Sequence, residues 1–129
     1  MKREIEVISC QRDYLGVGFI KSRKSEDKVM GMGEDMYAYA QKQGIKLLEI
    51  IVDGSSGMDI DRPNVDRLVA WMEKEYIEVV LVKNVFQISN DLDDLRYFLQ
   101  RASDLGVSVL SMEQNCQPVY IPWDEEEGC

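Results

Sequence analysis

The chain contains no histidine, which removes imidazole bases, Ser-His-Asp triads and histidine metal sites from consideration. Chemistry is left to carboxylates, lysines, arginines, hydroxyls and three cysteines. Asp59, Asp61 and Asp66 lie close together but lack the alternating ligand spacing of a calcium loop, and they read as a solvated loop. Gly16-Val17-Gly18 matches only the first half of a phosphate-cradling glycine pattern. The third glycine is missing, and the pair falls inside an apolar, strand-like run rather than after one, so no dinucleotide site is expected. Cys10, Cys116 and Cys129 are scattered, without a Cys-x-x-Cys pair. That fits a reduced, cytoplasmic protein better than a zinc site or a disulfide framework. No cofactor and no metal are expected.

The elements that must position any site follow from periodicity. Tyr14 to Lys21 reads as a strand, and Lys28 to Gln43 as a helix through Met32, Met36, Tyr39 and Ala40, ended by Gly44. Ile45 to Val52 is a dense apolar strand, followed by the loop Asp53-Gly54-Ser55-Ser56-Gly57. Asp61-Arg62-Pro63-Asn64 opens a second helix, with Pro63 in its first turn and Val65, Leu68, Val69 and Met72 as its buried stripe. Tyr76 to Lys83 is the most hydrophobic strand and is placed at the centre of the sheet. Asp91 to Leu105 forms a third helix capped by Ser89 or Asn90, and Val107 to Met112 another strand. Glu4 to Ser9 alternates as an edge strand would. The expected fold is therefore a three-layer α/β/α domain over residues 1–115, with a mostly parallel sheet of four or five strands. Residues 116–129 are expected to form an irregular acidic tail, in which Val119, Tyr120, Ile121 and Trp123 fold back on the core or serve as a contact strip.

With 129 residues, 45% apolar and 30% charged, the chain is sized for one domain with its own core. No secretory leader and no apolar run near membrane-spanning length is present, so no membrane association is expected. The net charge is −9, which argues against general affinity for nucleic acid. The charge is uneven: residues 1–30 carry seven basic and five acidic side chains, residues 84–129 two and nine.

Four segments in order carry a more specific signal: Phe19-Ile20-Lys21-Ser22-Arg23 at a strand end, Asp53-Gly54-Ser55-Ser56-Gly57 after the next strand, Arg62-Pro63 at a helix start, and Ile88-Ser89-Asn90-Asp91 before the third helix. Together they resemble the catalytic domain of the serine recombinases, the resolvase and invertase family, over residues 14–115. The resemblance implies chemistry in which a serine hydroxyl attacks a DNA phosphodiester and expels the 3′ oxygen, leaving a phosphoserine link. Converging arginines stabilise the spread negative charge of that transition state.

The resemblance places the family's Tyr-x-Arg-x-Ser at Phe19, Lys21 and Arg23, so arginine stands at the nucleophile position. The family's Asp-Arg-Leu-Ser-Arg falls on Phe86 to Asn90, putting Gln87 and Asn90 where arginines belong, and the glutamine of the first helix falls on Met32. Of the basic positions only Arg62 is intact, with Lys21 a partial substitute. Asp53, Gly54, Ser56 and Gly57 keep the loop, where Asp53 is expected to accept backbone N–H bonds. Arg62 is read either as a relict phosphate contact or as a surface arginine paired with Asp59 or Asp61. The expectation is a recombinase-like domain that does not cleave DNA and acts through a protein partner or self-association, with DNA binding weak or absent. The alternative is a divergent recombinase using Ser22 or Ser25. A third reading is a small flavodoxin-like domain with a ligand pocket at the carboxyl ends of its strands. The loop 53–61 and the segment 22–28 are expected to be the most mobile parts.

Overall fold

A computed structural model describes residues 13–54, 60, 62–74, 76–119 and 121. The expected Glu4–Ser9 strand, Ser56, Gly57, Asp59, Asp61, Tyr120 and Trp123 lie outside them, as does most of the loop 53–61. Element order is β1 (Tyr14–Lys21), α1 (Glu26–Lys42), β2 (Ile45–Asp53), α2 (Pro63–Glu73), β3 (Val79–Val82), α3 (Leu92–Asp104), β4 (Ser108–Ser111) and β5 (Gln117–Pro118). The sheet has five strands in the order β2-β1-β3-β4-β5, so β3 is central as its composition requires. The first four are parallel to one another and β5 runs antiparallel along β4.

Two cores lie on opposite faces. Val65, Leu68 and Met72 of α2 and Leu95, Phe98 and Ala102 of α3 cover Val17, Phe19, Ile51, Val80 and Val82 on one side. On the other, α1 lays Met36 and Ala40 against Ile20, Ile45, Leu47, Val79 and Leu81. The α/β/α layering therefore holds. Gly44 and Gly106 end α1 and α3 at φ +75° and +77°, the left-handed conformation in which glycine carries no Cβ penalty.

Gly16 and Gly18 are packing residues. A Cβ on Gly16 would stand 3.0 Å from the Val79 carbonyl, and one on Gly18 would stand 2.5 Å from the Met36 sulfur. Beside them β2 carries an extra residue, since Gly16 pairs with Leu47 and Val17 with Glu49.

Several boundaries differ from the sequence reading. α1 starts at Glu26, with Ser25 in the N-cap position and the acids Glu26 and Asp27 in its first turn, where they favour the positive end of the helix dipole. Asp91, rather than Ser89 or Asn90, caps α3 by accepting from the Asp94 N–H at 3.0 Å. The Ser89 hydroxyl instead accepts from the Asp91 N–H at 3.1 Å. β3 shortens to Val79–Val82, its four residues all buried, while Tyr76 is exposed.

After residue 115 the structure adds a short strand to the tail expected to be irregular, while Val119 and Ile121 fold back on the core as expected. Asn115 and Cys116 adopt left-handed φ values of 58° and 62°, turning the chain back so that Gln117–Pro118 pairs with β4. The Val119 N–H donates to the Val109 carbonyl at 2.8 Å, and Val119 and Ile121 pack on the core. Pro118 is tolerated because β5 is an edge strand.

Candidate functional site

The carboxyl ends of β1 and β2, the start of α2 and the turn before α3 meet in one polar cluster. Asp53, the last residue of β2, is 1% exposed, and Arg62 is 4% exposed. A buried carboxylate is stable only when its lone pairs are met by donors, and here they are. Arg62 donates Nε–H to Asp53 Oδ2 at 2.6 Å. Asn64 donates from Nδ2 to Asp53 Oδ1 at 3.3 Å. Lys21 Nζ lies 3.8 Å from Asp53 Oδ2. A further Arg62 N–H, from Nη2, donates to the Gln87 carbonyl at 3.1 Å, tying α2 to the turn after β3.

This corrects one expectation and adds to another. Asp53 receives side-chain donors from Arg62 and Asn64, because its position at a strand end turns the carboxylate inward. Arg62 is buried and pairs with Asp53, so it is not the surface arginine that one reading made it. Sequence spacing could not select that partner, since several acids lie within ten residues of Arg62. Asn64, which the sequence reading used only to mark a helix start, is the residue it missed. An amide next to the helix-opening proline was the available signal.

The remaining positions separate by environment. Ser22 is half-buried at the end of β1, where its N–H donates to the Asp53 carbonyl at 3.0 Å and its hydroxyl accepts from the Lys24 N–H at 3.1 Å. Arg23, Ser25 and Asn90 are exposed. Gly54 is exposed, and a Cβ there would come no closer than 3.7 Å to the Ser22 carbonyl. The Gln87 side chain does not join the Arg62 cluster: its Oε1 atom is buried without a hydrogen-bond partner among the described residues. Met32, half-buried on α1, lines the same small cavity as Gln87.

Cys116 lies against Tyr39, and burial pushes both the thiol and the phenol above their ordinary values. A thiol held protonated is a poor nucleophile. No group of three or more His, Cys, Asp or Glu able to hold a metal ion occurs among the described residues. No helix among them is long and apolar enough to cross a membrane.

The family described as "Resolvase, N terminal domain" matches residues 22–127, which takes in β5 and much of the segment beyond it. A stretch of 69 residues is 29% identical to the transposon Tn21 resolvase of Escherichia coli, covering 54% of this chain and 36% of that protein. The chain thus spans about a third of that relative's length. Among solved structures, the C-terminal catalytic domain of ISC1926 TnpA, an IS607-like serine recombinase, superposes with a TM-score of 0.68 at 20% identity, over 77% of this chain and 70% of that one. The N-terminal catalytic domain of TP901-1 integrase does so with a TM-score of 0.64 at 19% identity, over 78% of each chain. The β/α frame is thus shared at sequence identities where side chains have largely been replaced.

Proposed function

Because the chain belongs to the resolvase N-terminal domain family, we propose that it is a serine-recombinase-like domain that has kept the fold without DNA cleavage and works through contacts with protein, another copy of itself included. One observation carries the reading: Arg23 stands, exposed, where the family resemblance puts the nucleophilic serine. A guanidinium stays protonated at neutral pH and offers no lone pair for attack on phosphorus. Gln87 and Asn90 at two arginine positions point the same way, since taking one cationic group away from such a transition state costs about 10²–10³ in rate. Arg62, the arginine that matches, is spent on Asp53 and the Gln87 carbonyl. The net charge of −9 further disfavours unaided binding to DNA.

The experiment is a low-salt titration of labelled duplex and of supercoiled plasmids carrying random inserts, followed by denaturation and a search for a protein–DNA adduct. Weak binding with no adduct is the expected result. An adduct that disappears in Ser22→Ala or Ser25→Ala would establish the divergent recombinase instead.

A further inference from the structure

β2 is an edge of the sheet: β1 lies on one side of it, and no described strand lies on the other. A free edge is a row of backbone donors and acceptors ready to pair with another extended segment, and folded proteins usually shorten, charge or cover it. Here it is nine residues long, holds no proline, and exposes Leu48 and Val52. The outer face of α1 continues this apolar surface. Met30, Gly33, Tyr37 and Ala38 line a shallow depression together with Ile50 of β2. Met30 and Tyr37 are exposed. A Cβ on Gly33 would meet nothing within 4 Å, so another chain segment can approach α1 closely there.

Position, pattern and charge all point to the chain's own residues before Asp13 as the occupant. Asp13 lines a second depression with Tyr37, Gln41, Ile45 and Lys46, and Tyr37 and Gln41 belong to both depressions. The surface therefore runs from the entry of β1 along α1 to Met30, and the chain is delivered to one end of it. The outer edge of β2 lies two strand spacings from β1, about 10 Å, and residues 10–13 span up to about 13 Å when extended. The sequence Glu4-Ile5-Glu6-Val7-Ile8-Ser9 alternates, so that Ile5 and Val7 share one face of an extended segment. β2 begins beside the start of β1, where Ile45 pairs with Tyr14, so a segment laid from that point toward Met30 is antiparallel to β2. Lys2 and Arg3 then fall beside the first turn of α1. Its acids Glu26 and Asp27 stand four and three residues before Met30, on the same helix stripe, and Glu34 lines the depression itself. All three acids are exposed.

We infer that the β2–α1 edge is a strand-docking site and that residues 4–9 of the same chain occupy it as an additional antiparallel strand. Ile5 and Val7 lie against Met30, Tyr37 and Ile50, and Lys2 and Arg3 face the acids of α1. Main-chain pairing holds the segment, and the alternate side chains fix its register. The inference does not depend on whether the domain cleaves DNA, and it leaves contacts with protein partners to other surfaces.

Solution NMR of the full chain tests it. Contacts from the Ile5 and Val7 methyls to the Tyr37 ring and the Met30 methyl are expected, with amide exchange of residues 4–9 slowed at least about tenfold relative to an unstructured peptide. A sample that mixes isotope-labelled and unlabelled chains separates contacts within one chain from contacts between copies. Tyr37→Glu and Val7→Asp each put a charge on the apolar stripe. Tyr37 belongs to neither core, so the amides of β3 should stay protected in Tyr37→Glu while those of residues 4–9 return to the unstructured rate. Reversing Lys2 and Arg3 to glutamate should reduce the protection without abolishing it. The inference is overturned by unstructured exchange at residues 4–9 in the unaltered chain, by protection of those residues that survives Tyr37→Glu, or by contacts found only between labelled and unlabelled copies, which would make the edge a dimer surface instead.

Discussion

Gln87 stands between two polar regions that were solved differently. Its carbonyl faces the Arg62 guanidinium, where each partner is met: carboxylate by arginine and amide, guanidinium by carboxylate and backbone oxygen. Its side chain faces α1, where an amide oxygen ends among methionines with nothing to accept. One region is a closed network whose members are needed by each other, and such networks rigidify the elements that supply them. The other is incomplete. A satisfied cluster contributes to the fold, while an unsatisfied buried acceptor is a cost that the packing around it must offset.

That contrast is broken most severely by removing one member of the closed network. Arg62→Ala takes from the buried Asp53 its closest counter-charge, and should cost about 3 kcal/mol, the lower end for a broken buried pair because Lys21 and Asn64 remain near. Urea unfolding measures it, and a loss under about 1 kcal/mol would mean the cluster is less closed than its geometry implies. Replacing Asp53 and Arg62 together by apolar residues should recover part of that loss, which a double-mutant cycle reads directly.

Gly16→Ala tests the sheet beneath both regions. Its Cβ would press on the Val79 carbonyl, which cannot yield without moving β3, at a cost of about 1–3 kcal/mol. Gly18→Ala meets the flexible Met36 thioether instead and should cost less, unless the α1 face is as tightly packed as the α2–α3 face. Asp91→Ala removes the α3 cap and should lower stability by about 1 kcal/mol, whereas Asn90→Ala, at one of the two positions that sequence alone offered, should not. Smallest of all, Arg23→Ala should change stability by less than about 0.5 kcal/mol, since the side chain is exposed. A larger loss in the denaturation midpoint would place Arg23 in a structural role.

The sequence reading reached the layers, the parallel sheet and the helix stripes because these follow from periodicity. Alternation and 3.6-residue spacing force one face of each element inward wherever its neighbours lie. It reached the family through a handful of positions at strand ends and helix starts. It missed the Asp53–Arg62 pair, the capping role of Asp91 and the strand after Cys116. In the first two, several residues of the right type compete locally. Ser89, Asn90 and Asp91 can all cap a helix, and only the backbone angle at Asp91 selects one. In the third, nothing local announces that Asn115 and Cys116 turn left-handed.

The sequence by itself determined which residues are apolar, in what rhythm, and which functional groups exist at all. No histidine means no imidazole chemistry, whatever the fold. Tertiary structure decided partners. Arg62 could pair with any of several carboxylates, and folding buries it beside Asp53, because a buried charge must take the counter-charge that folding places within reach. The same holds for Gln87, an ordinary polar residue in sequence, whose oxygen the fold encloses with no donor among the described residues.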